Sequence, residues 1–128
     1  MKLLLDTHVF IWWHSEREKL SFQALKHCQN PKFELFLSIA SLWEIQIKQQ
    51  LGKLELQYPL REMVEMQKQT NQLKLLPIDF NHVLSLQTLP LHHKDPFDRL
   101  IIAQAFYENV TIISADQYFI NYPIDIIW

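Results

Sequence analysis

Four acidic side chains in this sequence stand where carboxylates could act together. Asp6 follows directly on the apolar run Leu3-Leu4-Leu5, and Asp116 lies two residues past "VTIIS" at 110–114. Short apolar runs of this kind read as buried strands, so both acids fall at strand ends. Glu44 sits inside "IASLWEIQIKQQL" (39–51), with Ala40, Ile47 and Leu51 on the same helical face. An acid in an apolar stripe points inward, where a lone charge is costly. Asp98 repeats that pattern in "PFDRLIIAQAFYEN" (96–109), sharing its face with Ile101, Ile102 and Ala105. Oxygen-only donors suit hard cations such as Mg²⁺ or Mn²⁺. At a sheet edge, such ions activate water and offset the charge of a phosphodiester under in-line attack.

Each acid also has a plainer explanation. Asp6 and Asp116 could cap the short helices that follow them. Asp98, in the first turn of its helix, could complement the helix dipole. Glu44 has no capping role, but could pair with Lys48 at i+4. A shared metal site accounts for all four at once, whereas the plainer explanations must hold separately.

The elements that would position these acids alternate along the chain. Strands are expected at 2–5, 33–38, 73–78, 110–114 and, at an edge, 124–128. Helices are expected at 7–13, 21–29, 39–51, 59–71, 80–89 and 96–109. Gly52 stops the helix at 39–51 in the usual C-terminal position. Asp79 caps the helix at 80–89, and Asp95 caps that at 96–109 with Pro96 at its first position. Alternation of this kind predicts a parallel sheet covered on both faces, with ligands bound beyond the carboxyl ends of its strands.

Composition narrows the possibilities. The 128 residues, 48% of them hydrophobic, suit a single domain spanning 1–128. The single glycine rules out glycine-rich phosphate loops, so phosphates must be met by side chains or metal ions. The net charge of −2 is not that of a strongly basic nucleic-acid binder. The lone Cys28 cannot form an internal disulfide, which fits a reducing compartment. Asp6 cuts the first apolar run too early for a signal peptide, and Val9 to Trp13 falls far short of the roughly 20 residues of a membrane span. A soluble, cytoplasmic protein without membrane contact is expected.

"LLLDTHVFIWW", "SIASLWEIQIKQQLGKL", "DPFDRLIIAQA" and "TIISADQYFINYPIDIIW" resemble, in order, the signature blocks of PIN-domain ribonucleases. The likeness is greatest to the VapC toxins of bacterial type II toxin–antitoxin systems, and it runs from Leu3 to Trp128. The resemblance implies a three-layer α/β/α sandwich with a central, mostly parallel sheet. It implies Mg²⁺- or Mn²⁺-dependent endoribonuclease activity on RNA, a homodimer, and an antitoxin partner that occupies the active site. The family's acids fall on Asp6, Glu44, Asp98 and Asp116, and its small hydroxyl residue on Ser114. Asp95 is a weaker match and is kept as the helix cap.

Other residues are candidates for substrate contact or support: Thr7 and His8 beside Asp6, and Lys48 and Arg99 near the acids in sequence. Lys48, Lys94 and Arg99 could meet phosphates or simply be solvated. His92 and His93, adjacent in an extended segment, point to opposite sides and are read as a surface loop. Trp12, Trp13, Trp43 and Trp128 could stack bases, though core packing is the expected role. A housekeeping PIN nuclease without an antitoxin, or a non-catalytic binding module, are the alternatives to a toxin.

Overall fold

The computed structural model describes residues 1–128. Its sheet has five parallel strands: β1 (Lys2–Leu5), β2 (Glu34–Ser38), β3 (Lys74–Leu76), β4 (Thr111–Ile113) and β5 (Ile126–Ile127), in the order β3-β2-β1-β4-β5. The expected parallel sheet is therefore parallel throughout, and the edge strand predicted at 124–128 is present but only two residues long, Ile126–Ile127. The helices are α1 (Thr7–Ser15), α2 (Phe22–Gln29), α3 (Ile39–Gln50), α4 (Leu60–Asn71), α5 (Phe80–Ser85) and α6 (Pro96–Glu108). None is long and apolar enough to cross a membrane.

The uninterrupted leucine run is explained by its place. β1 is the middle strand, paired along both edges with β2 and β4, and helices cover both of its faces, so Leu3, Leu4 and Leu5 are fully buried. Alternation then divides the run between two cores. Leu3 and Leu5 join Val9, Phe10 and Trp13 of α1, with Ala24, Cys28, Ile45 and Met63. Leu4 joins Ile101, Ile102 and Ala105 of α6, with Ile112 and Phe119. These two cores make the α/β/α sandwich. Burial pushes the Cys28 thiol up to about 12, so it stays protonated and unreactive.

Local chemistry sets the ends of the elements that matter for the site. α3 starts at Ser38, whose hydroxyl accepts from the Ala40 amide and donates to the buried Gln104 amide oxygen on α6. It ends in a Schellman motif, with Gly52 at φ +70, Gly52 N–H donating to Gln49 O and Lys53 N–H to Lys48 O. α6 begins at Asp95, which accepts from the amides of Phe97 and Asp98 at 2.8 and 3.3 Å. It closes on Asn109 in the left-handed region, one residue inside the expected end.

Two expectations are corrected. The helix predicted at 80–89 ends at Ser85 and tightens into a 3₁₀ turn at Leu86–Thr88. The Ser85 hydroxyl takes the Asn81 carbonyl and the Thr88 hydroxyl takes the Ser85 carbonyl, which draws the backbone away from regular helix. Its start is as expected, with Asp79 and His82 forming a reciprocal cap. The strand predicted at 73–78 is only three residues long, Lys74–Leu76. Pro77 lacks an N–H for the ladder, and its carbonyl accepts from Gln104 Nε2.

Candidate metal centre

The parallel register brings the acids together. Leu5 pairs with Leu37 on one side and Ile113 on the other, so Asp6, Ser38 and Ser114 leave the sheet at the same edge. α3 springs directly from β2 and carries Glu44 back over that edge. α6 packs against α3 and places Asp98 there from its first turn.

Asp6 is 4% exposed. Although it starts α1, its carboxylate makes no capping hydrogen bond. Instead Oδ2 accepts from Ser114 Oγ at 2.8 Å, and Oδ1 is buried without a partner. Capping is thus not why Asp6 is there. The Ser114 hydroxyl also accepts from the Asp116 amide at 3.0 Å, so one side chain ties the Asp6 carboxylate to the Asp116 backbone. Burial raises the Asp6 pKa above the ordinary carboxylate value, against the lowering effect of the Ser114 hydrogen bond.

Glu44 is 1% exposed, and both of its oxygens are engaged. Oε1 accepts from Thr7 Oγ1 at 2.8 Å and Oε2 from Lys48 Nζ at 2.6 Å. Thr7 Oγ1 is itself 2.9 Å from Ser41 Oγ, so the carboxylate rests on a buried hydroxyl pair. The predicted Glu44–Lys48 pair exists, but it does not dismiss Glu44 from the site. Lys48 reaches into the acidic cluster, and its attraction to Glu44, Asp95 and Asp98 outweighs partial burial to raise its pKa.

Asp98 stands at the centre. Its Oδ2 is 3.0 Å from His93 Nε2. Burial, then repulsion from Asp6, Asp95, Glu44 and Asp116, pushes its pKa up to about 8. A carboxylate placed only to complement a helix dipole would be held ionised. Asp116 does cap the 3₁₀ turn at Gln117–Asn121, with Oδ1 accepting from the Tyr118 amide, while its Oδ2 lies 2.9 Å from His93 Nε2. Ligand atoms of His93, Asp98 and Asp116 lie within 4.8 Å of one another, and so do those of Glu44, Asp95 and Asp98.

Several sequence expectations need correction here. His93 is not part of an indifferent surface loop: its ring is largely buried and touches two of the acids. The expected alternation does hold, since His92 turns the other way onto Tyr122. Asp95 caps α6 as predicted but also joins the cluster. Arg99 turns away from it and donates to the carbonyls of Leu86 and Leu89, so it braces the loop before α6 and is not a phosphate contact. His8 is exposed beside Asp6, with its ring near Trp12. Trp13 is buried as expected, but Trp43 is 57% exposed and rests edge-on against Phe97. Trp128 is also partly exposed and lies near Trp12.

The donor set fits a hard divalent cation. The carboxylates supply only oxygens, one of them (Asp6 Oδ1) buried and unpartnered, and their mutual repulsion is what a cation relieves.

An α/β sandwich with an acidic centre beyond the carboxyl ends of parallel strands defines a class of metal-binding domain. Residues 3–124 match the profile of the PIN domain, and the chain belongs to that family. Solved structures share its fold. VapBC2 from Rickettsia felis, bound to a DNA fragment from its promoter, aligns with TM-score 0.75 at 15% identity, covering 99% of this chain and 98% of that one. DNA-bound VapBC from Salmonella typhimurium gives 0.67 at 15% identity, with 99% and 97% covered. VapBC-1 from nontypeable Haemophilus influenzae gives 0.66 at 19%, again with 99% and 97% covered. No curated protein sequence matches the chain.

Proposed function

We propose that this PIN domain is a metal-dependent endoribonuclease and the toxin of a toxin–antitoxin pair. The observation that carries the reading is Asp98, which stands within one ligand group with Glu44 and another with Asp116 and is repelled by Asp6 as well, with an unpartnered buried oxygen on Asp6 and a strongly raised pKa on Asp98. Those four side chains would hold Mg²⁺ or Mn²⁺. The ion supplies water activation and charge stabilisation at a phosphodiester when bound. The chain's own residues prepare that chemistry. Ser114 orients Asp6, Thr7 orients Glu44, and Lys48 keeps a positive charge beside the carboxylates, where an RNA phosphate would arrive. An open cleft lined by His92, His93, Lys94, Asp95 and Tyr118 gives access from one side.

The antitoxin reading rests on the structural neighbours, which are VapBC assemblies, VapBC-5 from Mycobacterium tuberculosis being a member of the VapBC family of toxin–antitoxin systems. An antitoxin could block the site by placing an Arg or Lys among the acids, as Lys48 already does from within. A homodimer is supported by the exposed Phe80, Val83 and Leu84 on α5 and the exposed Phe106 and Tyr107 on α6. α4, by contrast, gives Met63 and Val64 to the core. Light scattering at micromolar concentration is expected to give twice the mass of one chain; the mass of a monomer would remove the dimer.

The activity is tested by incubating the purified protein with total RNA and Mg²⁺ or Mn²⁺ and mapping the cut ends. Discrete internal cleavage that a chelator stops, and that restored metal recovers, is expected. RNA left intact across both metals would refute the nuclease assignment. Cleavage that persists in the chelator would refute the metal.

A further inference from the structure

His93 is the one side chain that touches two of the acids and was assigned nothing by the sequence. Its backbone N–H donates to Tyr122 Oη at 2.8 Å, and its ring packs against Tyr118 and Phe119. The Asp95 amide donates to Nδ1 at 3.1 Å. Nδ1 therefore keeps its lone pair for that bond, and the ring proton sits on Nε2. That N–H faces Asp116 Oδ2 at 2.9 Å and Asp98 Oδ2 at 3.0 Å. No free lone pair remains on the ring for a cation, although distance alone would allow one.

We propose that His93 is a positioning residue, its Nε2–H holding the Asp98 and Asp116 carboxylates together for the cation while the ring itself stays out of the coordination sphere. The proposal rests on the metal-centre reading above. Asp98 enters from the first turn of α6, and Asp116 from the segment after β4. Nothing else among the hydrogen bonds links these two side chains. Without the shared donor, the two carboxyl groups would be free to swing apart, and the cation would have to gather them at its own cost in affinity.

The test uses the full chain and two variants. His93→Gln keeps an N–H of similar reach. His93→Phe keeps the ring packing and removes the donor. Calorimetric titration with Mn²⁺ is expected to show affinity falling about tenfold or more in His93→Phe and recovering to within about threefold of the wild type in His93→Gln, with unchanged stoichiometry. Equal affinity in all three proteins would overturn the proposal. Equal loss in both variants would also overturn it, because it would make the imidazole a ligand. A wild type that bound no divalent cation would instead defeat the metal-centre reading itself. If His93→Phe does not fold, ¹⁵N spectra of the wild-type ring decide alongside His93→Gln: a proton on Nε2 alone is required, and a proton on Nδ1 refutes the clamp.

Discussion

Glu44→Gln is expected to lower RNA cleavage about a hundredfold or more, the scale on which one preorganised electrostatic group matters to a transition state. The substitution is nearly isosteric, and an amide oxygen can still accept from Thr7. The charge is what disappears. Lys48 loses its 2.6 Å partner, and the amide NH₂ now faces an ammonium. The cluster also loses one negative ligand, so a divalent cation is held less firmly. Because the acids act on one ion, the losses should not add: combining Glu44→Gln with Asp98→Asn should cost little more than Asp98→Asn alone. Initial rates at saturating Mg²⁺, with melting curves as a check on folding, measure this. Wild-type rates in Glu44→Gln would remove Glu44 from the chemistry and leave it a salt-bridge partner of Lys48.

Asp98→Asn is expected to abolish cleavage and yet make the metal-free protein more stable at pH 7. Asp98 titrates near 8 in the fold, against 3.8 for the free side chain. A raised carboxylate pKa means that between those values the folded state keeps a proton the unfolded chain has lost. Stability therefore falls as pH rises from about 4 to about 8, then levels off once both states are ionised. Asparagine removes that slope and the repulsion behind it. The gain at pH 7 should be about 1 kcal/mol, which is less than the ~1.4 kcal/mol per pKa unit of the full shift, because an ionising cluster relaxes and admits water. Mg²⁺ should raise the melting temperature of the wild type more than that of the mutant, since it binds only the folded site. A mutant that melts lower, with equal Mg²⁺ shifts in both proteins, would make Asp98 a helix-dipole residue and nothing more.

The sheet and most helices were legible because their signals are local. The leucine run, the Asp79 and Asp95 caps and Gly52 each fix an element within a few residues. The four acids stood out in the sequence because an inward acid on an apolar helix face, or one at a strand end, is conspicuous. What the sequence did not separate was a cap from a ligand. Asp6 looks like a cap and caps nothing; Asp95 and Asp116 cap and join the cluster as well. His93 was read as surface loop because its partners lie at Asp98, Asp116 and Tyr122, and only the folded chain brings them within reach. The signal was present in weak form, since alternation obliges one of two adjacent histidines to face inward. Arg99 and Trp43 failed for the opposite reason. Neighbourhood in sequence put Arg99 near the acids, but one helical step turns it toward Leu86 and Leu89. Apolar character put Trp43 in the core, while its edge contact with Phe97 leaves most of it outside.

The strand order also governs when the site can exist during synthesis. Asp6 leaves the ribosome among the first residues, yet the serine that holds it follows 108 positions later. Until β4 settles beside β1, the central strand has one neighbour instead of two, and Leu4 has lost Ile112 from its core. Closing so long a loop is among the slower events of folding. A nascent chain stalled before residue 111 therefore holds Glu44 and Asp98 but lacks both Asp116 and the support of Asp6. Translation must therefore reach Ser114 and Asp116 before the acid cluster can be completed.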